Sequence, residues 1–334
     1  MPVSAGRKSY LDYLKAISIA LVVAGHAISY FQTAYGGITP GWELANTLIY
    51  SVHVPLFFAV AGYLCHRQNI RVYLRKKASR VLVPYFTFAA LKLVYNMFIS
   101  EEFAHGGPAG EQLYDAFVLG RSYWFCYAIF LVYMIAPLFW EKDGVPARVT
   151  RRRTALALAA VTAVNAVQVI TGTGIFPALF QMHRAFQYSV FFLAGMVIRQ
   201  NEAAFLRGVK KYGLWITGVS AAVIVGVSRL LWIDRLADTF LTKLLLAFPL
   251  MFFLYMGAKK LPENIRPLSV MGKYSFQIML LDSFFRVVLM KGAARLVAMN
   301  IWVALGTSFV NIALGCAACT VIEKIPFLKK SVGL

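Results

Sequence analysis

Acidic side chains are scarce in this sequence. Only 14 Asp and Glu stand against 34 Lys and Arg in 334 residues, and charged residues of both signs reach just 14%. A soluble domain of this size needs more polar surface than that. With 60% hydrophobic residues and a mean hydropathy of +0.66, the shortage of charge excludes one and points to a polytopic membrane protein. Cysteine is nearly absent too. Cys65, Cys126, Cys316 and Cys319 fall in or beside apolar runs, and the Cys316/Cys319 pair lacks the second pair of ligands a metal site needs. Packing is the reading for them, and no metal is expected. Low-complexity tracts, internal repeats and any stretch long enough for a separate soluble domain are missing as well. Leu11 to Phe31 lacks the short apolar core and small-residue cleavage site of a secretory signal, so it reads as a span.

What is present is a series of apolar segments near the ~20 residues that a spanning helix needs. They run at 10–32, 44–65, 79–99, 122–140, 154–171, 176–198, 212–232, 239–258, 268–290 and 297–322. The expectation is an all-α polytopic membrane helix bundle of about ten transmembrane helices, one domain over 1–334 with no extra soluble domain. A net charge of +20 raises the possibility of nucleic acid, but its placement argues otherwise. Arg7 and Lys8 precede the first span. Arg67, Arg71, Arg75, Lys76 and Lys77 follow the second, and Lys142 with Arg148 and Arg151 to Arg153 follow the fourth. Arg199, Arg207, Lys210 and Lys211, then Lys259, Lys260 and Arg266, and finally Lys324, Lys329 and Lys330 continue the pattern, while the alternate loops carry acids such as Glu101, Glu102, Glu111 and Asp115. Cytoplasmic loops accumulate Lys and Arg, so both termini are expected in the cytoplasm, in a multi-pass protein of the inner (plasma) membrane that contacts lipid and no nucleic acid.

Within the spans a few polar groups stand out. Lys15 and His26 are eleven residues apart, which places them about 20° apart around an α-helix and about 16 Å apart along it, with Asp12 near the same stripe. Asp12 and Lys15 read equally as interfacial anchors. A histidine deep in a span is costly and reads as functional. Counted from the inner ends of their helices at ~1.5 Å per residue, His26 lies about 24 Å deep, Asp282 about 21 Å and His53 about 18 Å. Three ionisable groups from three helices are therefore expected near one depth.

Those same residues resemble the motifs of the acyltransferase family 3 membrane proteins. Lys15, ten residues and then His26 is similar to the family's opening signature of a basic residue and a histidine. His53-Val-Pro-Leu-Phe-Phe-Ala-Val-Ala-Gly62-Tyr resembles its second-span motif. Lys77-Ala-Ser-Arg80 before Val-Leu-Val-Pro84-Tyr85 resembles its third element, and Tyr123-Trp124-Phe125 its Leu-Trp-Phe element. Gly272-Lys-Tyr-Ser275 followed by Leu280-Leu281-Asp282 resembles its late Gly-x-x-Ser…Leu-x-His element. The motifs keep the family's order and cover 12 to 282, closest to the fucose 4-O-acetylase-like, sugar-modifying members. Two departures stand out: Ala61 replaces a common serine, and Asp282 replaces a common late histidine. The SGNH hydrolase-like domain of some long members is not seen.

What the resemblance implies is transfer of an acyl group, acetyl from acetyl-CoA, to a hydroxyl of a glycan or its lipid-linked precursor. Lys15, Arg75, Lys77 and Arg80 are then the cationic groups for the CoA phosphates, arginine having a fork suited to phosphate oxygens. For Arg75 a plain positive-inside loop is an equal reading. The pantetheine arm would carry the thioester toward His26, which acts either as general base on the sugar hydroxyl or as a transient acyl carrier. His53 or Asp12 would orient it, and His53 reads equally as a core histidine before Pro55. Trp124, Tyr127, Arg184, Gln187 and Asp282 are the expected acceptor contacts, with Trp124 also readable as part of an interfacial aromatic belt. A homodimer is compatible with this pattern. The competing class is a transporter or flippase for a glycolipid or small anionic solute.

Overall fold

The computed structural model describes residues 8–99, 108–141 and 143–334; Arg7, Glu101, Glu102 and Lys142, named above for their charges, lie outside the described residues. Among the described residues all regular structure is helical. The helices are α1 Ser9–Tyr35, α2 Pro40–Tyr63, α3 Ile70–Lys77, α4 Val83–Ile99, α5 Ala109–Tyr114, α6 Trp124–Ile135 and α7 Ala147–Thr171. They continue as α8 Met182–Gln200, α9 Glu202–Trp232, α10 Phe240–Lys260, α11 Arg266–Ala294, α12 Ile301–Ile322 and α13 Pro326–Ser331. Each of the ten apolar segments is helical over most of its length. Among the described residues, seven stretches are long and apolar enough to cross a membrane: α1, α2, Gly110–Phe139, α7, α9, α10 and α12. The third of these is interrupted at Gly120, whose φ of +70° turns the chain before α6 begins.

Some boundaries differ from the sequence reading. The helices α7 and α9 begin seven and ten residues earlier than expected, so Arg148, Arg151, Arg152, Arg153, Lys210 and Lys211 ride on helical turns and not in loops. The segment expected from 176 becomes long helix only at Met182. Phe180 and Gln181 adopt left-handed φ values of 47° and 58°, which no α-helix accepts. Arg184, expected about eight residues inside a span, therefore sits in the first turn of α8.

The chain divides into two compact units. One comprises Met1–Val60 with Asn201–Cys319, the other Ala61–Gln200 with Thr320–Leu334. In the first unit α1 and α11 run parallel: Asp12 meets Gly272, His26 meets Asp282, and Phe31 packs with Met290. A Cβ on Gly272 would lie 2.1 Å from the carbonyl oxygen of Asp12, so only glycine lets these two backbones touch. At the N-terminal end, the Tyr13 hydroxyl donates to the Pro262 carbonyl at 2.9 Å and accepts from the Ile265 N–H at 2.8 Å, which pins the α10–α11 turn to α1. On its other side α1 receives α2 at Gly25, where a Cβ would lie 2.9 Å from Ile49 and 3.1 Å from the Tyr50 ring.

In the second unit the close approach is at Gly62, whose missing side chain leaves room for the Phe192 carbonyl of α8. Two π-helical turns occur here, Ala78–Leu82 and Asp115–Leu119. The first precedes Pro84, which has no N–H to give the Arg80 carbonyl, so the ladder skips and Val83 N–H bonds Ala78 instead. The second has carbonyls taken by side chains: Tyr85 donates to Ala116, Tyr127 to Phe117 at 2.6 Å and Gln181 to Leu119 at 2.6 Å. In the loops, Arg67 and Asp143 form a two-pronged ion pair at 2.6 Å, and each holds the other's charged form: the Asp143 carboxyl is lowered and the Arg67 guanidinium raised, both through this hydrogen bond.

Candidate functional site

In the first unit, Asp282, Arg286 and Asn311 gather around His26. The sequence places this imidazole on the face of α1 that α11 covers, one residue past the glycine that admits α2. His26 Nδ1 lies 2.8 Å from Asp282 Oδ2, and Asp282 is 1% exposed whereas the His26 side chain is 35% exposed. A buried carboxylate needs more than one partner. Asn311 Nδ2 donates to Asp282 Oδ1 at 2.9 Å, and the Arg286 guanidinium, one turn along α11, stands 3.6 Å from Oδ2. Arg286 also donates to the backbone carbonyl of His26 at 2.9 Å and lies over the Tyr30 ring at 5.7 Å. With a proton on Nδ1, the imidazole donates to this carboxylate and its Nε2 faces away from it.

The groups expected to orient His26 lie elsewhere. Asp12 pairs with Lys15 at 2.7 Å, on the same helix but fourteen residues from His26, or about 21 Å at ~1.5 Å per residue. His53 is buried and bonds the Ile49 carbonyl of its own helix at 2.6 Å, with Tyr50 interposed between it and His26. Asp282, expected on the acceptor, is the group that touches the imidazole. The structure brings the three residues of the depth count into one neighbourhood, with Asp282 on the imidazole and His53 on its own helix. Arg286, Asn311 and Tyr50 were not singled out by the sequence reading, although an arginine and an asparagine inside apolar runs are signals in themselves.

The second unit holds the remaining groups in two places. Arg75 and Arg80 are exposed, on α3 and on the first π-turn. Lys77, between them, stands 3.7 Å over the Tyr133 ring and 5.5 Å from that of Tyr73. The eight-residue α3 is too short to cross a membrane. Burial pushes the Lys77 ammonium down to about 8, a cost that the two aromatic faces offset in part by favouring the cation. At the α8 N-terminus, the Arg184 guanidinium stacks on Trp124 at 4.6 Å, and Trp124 also meets Tyr188 at 5.3 Å. Gln187 is half-buried one turn on. Tyr127 spends its hydroxyl on Phe117, so its role here is to close the second π-turn. Among the described residues, no three His, Cys, Asp or Glu side chains converge as metal ligands would.

Comparison with known proteins finds the family that the motifs resemble. A model of the acyltransferase 3 family, described as an acyltransferase domain, matches residues 8–320. The "Nodulation protein NolL" of Sinorhizobium fredii (strain NBRC 101917 / NGR234) is 29% identical over 135 residues, which are 38% of this chain and 35% of that protein, so the match spans about a third of the relative's length. No solved structure matches the chain.

Proposed function

The chain belongs to the acyltransferase 3 family of membrane proteins, and from that premise we propose that it moves acetyl from cytoplasmic acetyl-CoA to a sugar hydroxyl. The acceptor is a cell-surface or exported glycan or its lipid-linked precursor, and the setting is the inner (plasma) membrane. The observation that carries this reading is the His26–Asp282 pair within a matched acyltransferase chain. The carboxylate holds the imidazole in one tautomer. His26 Nε2 takes the proton of the acceptor hydroxyl as its oxygen attacks the thioester carbonyl; the C–S bond then breaks and the CoA thiolate takes that proton back. In the two-step alternative the same nitrogen forms an acetyl-imidazole before the acceptor arrives. Asp282 supports either route by stabilising positive charge on the ring, and Arg286 and Asn311 hold it in place.

Arg75, Lys77 and Arg80 are the proposed ligands of the donor's phosphates, and Lys15, ion-paired with Asp12, is the remaining member of that set. The exposed guanidinium groups suit phosphate oxygens, and the π-turn between Lys77 and Pro84 sets where they project. Trp124, Arg184 and Gln187 remain proposed acceptor contacts, offering an aromatic face and hydrogen-bonding groups to a sugar ring. The test uses the purified chain in nanodiscs with radiolabelled acetyl-CoA. His26→Ala is expected to abolish turnover while leaving CoA binding intact, and Arg80→Ala to weaken CoA binding. Acid-quenched protein that retains label in the wild type and not in His26→Ala selects the two-step route. Wild-type protein that neither binds nor consumes acetyl-CoA removes the transferase reading.

A further inference from the structure

We propose that Ser29, Asn46 and Tyr50 form a subsite that holds a polyhydroxylated acceptor against His26; the proposal rests on the transferase reading and specifies where, and by which groups, the substrate is gripped. The three residues come from the α1–α2 hairpin of the first unit. Ser29 lies one turn beyond His26 on α1, about 4.5 Å further along at ~1.5 Å per residue. Asn46, Tyr50 and His53 occupy one face of α2, at helical spacings of four and three. Gly25 brings that face close, because the space a Cβ would occupy there is taken up by Ile49 and the Tyr50 ring. The Tyr50 ring therefore sits beside the His26 imidazole, with centroids 6.4 Å apart, and edge-on to His53 at 4.9 Å.

The polar atoms of this trio are joined but not closed. Asn46 Nδ2 donates to Ser29 Oγ at 3.1 Å, and Ser29 Oγ and Tyr50 Oη are 3.2 Å apart. The other amide atom, Asn46 Oδ1, is shielded from solvent and has no hydrogen-bond partner among the described residues. A cluster that served only to pack two helices would satisfy itself, since an unpaired carbonyl in an apolar surround is costly. This one presents an acceptor atom, with two hydroxyls that can each donate or accept, a turn away from the base. The complement is a ligand that donates through one hydroxyl while a second lies at His26 Nε2. Vicinal hydroxyls of a sugar ring meet that demand. A thioester or an acyl chain, which has no donor to offer Asn46 Oδ1, does not.

The experiment compares Asn46→Leu, which keeps the size and loses the polar atoms, with Asn46→Asp, which keeps an oxygen acceptor, alongside Tyr50→Phe and His26→Ala. The probes are radiolabelled acetyl-CoA with methyl glycosides of hexoses and 6-deoxyhexoses, and glycerol, as acceptors for the full chain in nanodiscs. Hydrolysis of acetyl-CoA without acceptor reads the donor half alone. Asn46→Leu and Tyr50→Phe are expected to raise the acceptor KM tenfold or more with donor KM within twofold of wild type, and Asn46→Asp to keep its acceptor KM within threefold. An unchanged acceptor KM in Asn46→Leu, equal behaviour of Asn46→Leu and Asn46→Asp, or a parallel fall of hydrolysis, transfer and Tm overturns the subsite. So does hydrolysis that persists with no polyol serving as acceptor. A wild type that leaves acetyl-CoA untouched, or a His26→Ala protein that still transfers, instead defeats the transferase reading itself.

Discussion

His26 depends on a neighbour that lies 256 positions away in sequence, and the dependence is one of charge and not of shape. Asp282→Asn leaves the volume intact, yet its amide can donate to Nδ1 and stabilise the other tautomer, with the proton on Nε2. Turnover is therefore expected to fall by about 10²–10⁴-fold with donor KM unchanged, as measured by label transfer. Lys77 supplies a pH signature at the same scale. Its folded value of about 8 lies below the 10.5 of a free lysine, so between these values the unfolded chain holds a proton that the folded chain has lost. Stability against unfolding should then rise as pH climbs from about 8 to 10.5. Affinity for CoA should move the opposite way, falling through pH 8 as the ammonium is lost. Titration calorimetry at pH 7 and 9 checks the second trend, and Lys77→Arg, which stays charged, should flatten it.

At the scale of elements, α1 is fixed by glycines on the helices that touch it or on itself. Gly272→Ala puts a methyl group against the Asp12 carbonyl and must push α11 from α1, at a cost of about 1–3 kcal/mol in stability. Because that helix pair also carries His26 and Asp282, Tm and turnover are expected to drop together. Gly292, on the same helix with nothing within 4 Å of its position, is the control: Gly292→Ala should leave Tm unchanged or slightly higher. These elements also show what the sequence could reveal. Helices and their apolar runs were readable because a span announces itself by length and composition. Gly62 and Gly272 were visible only through resemblance, and their physical reason, carbonyls of Phe192 and Asp12 at closer than van der Waals range of a Cβ, belongs to tertiary structure. The depth count put His26, His53 and Asp282 on one level, yet depth says nothing of rotation about each helix. Rotation is what gave Asp282 the imidazole and buried His53 on its own backbone. The late start of α8 escaped notice because Phe180 and Gln181 carry no glycine or proline to announce their left-handed turn.

For the whole molecule, the basic residues ask for one topology and the helices offer a way to test it. α1 and α11 run parallel, which an alternating count requires of its first and ninth segments. On a cysteine-free background, single cysteines at Gln68 and Thr173 should react with a membrane-impermeant maleimide from opposite sides, Gln68 only after the cytoplasmic face is opened. Labelling of both from one side would overturn the loop assignment. Outward-facing side chains such as Leu214 at 87% exposure and Trp215 at 76% on α9, or Phe309 at 76% on α12, are tolerable only where acyl chains cover them.

The two glycine contacts on α1 have one more effect. They hold the helix at two points, with Asp12 against α11 and Gly25, next to His26, against α2, so the imidazole cannot follow a substrate that settles askew. A base that stays put leaves regiochemistry to the acceptor's own placement: of several hydroxyls with nearly equal intrinsic reactivity, only the one delivered to Nε2 is esterified, and the product should emerge as a single positional isomer.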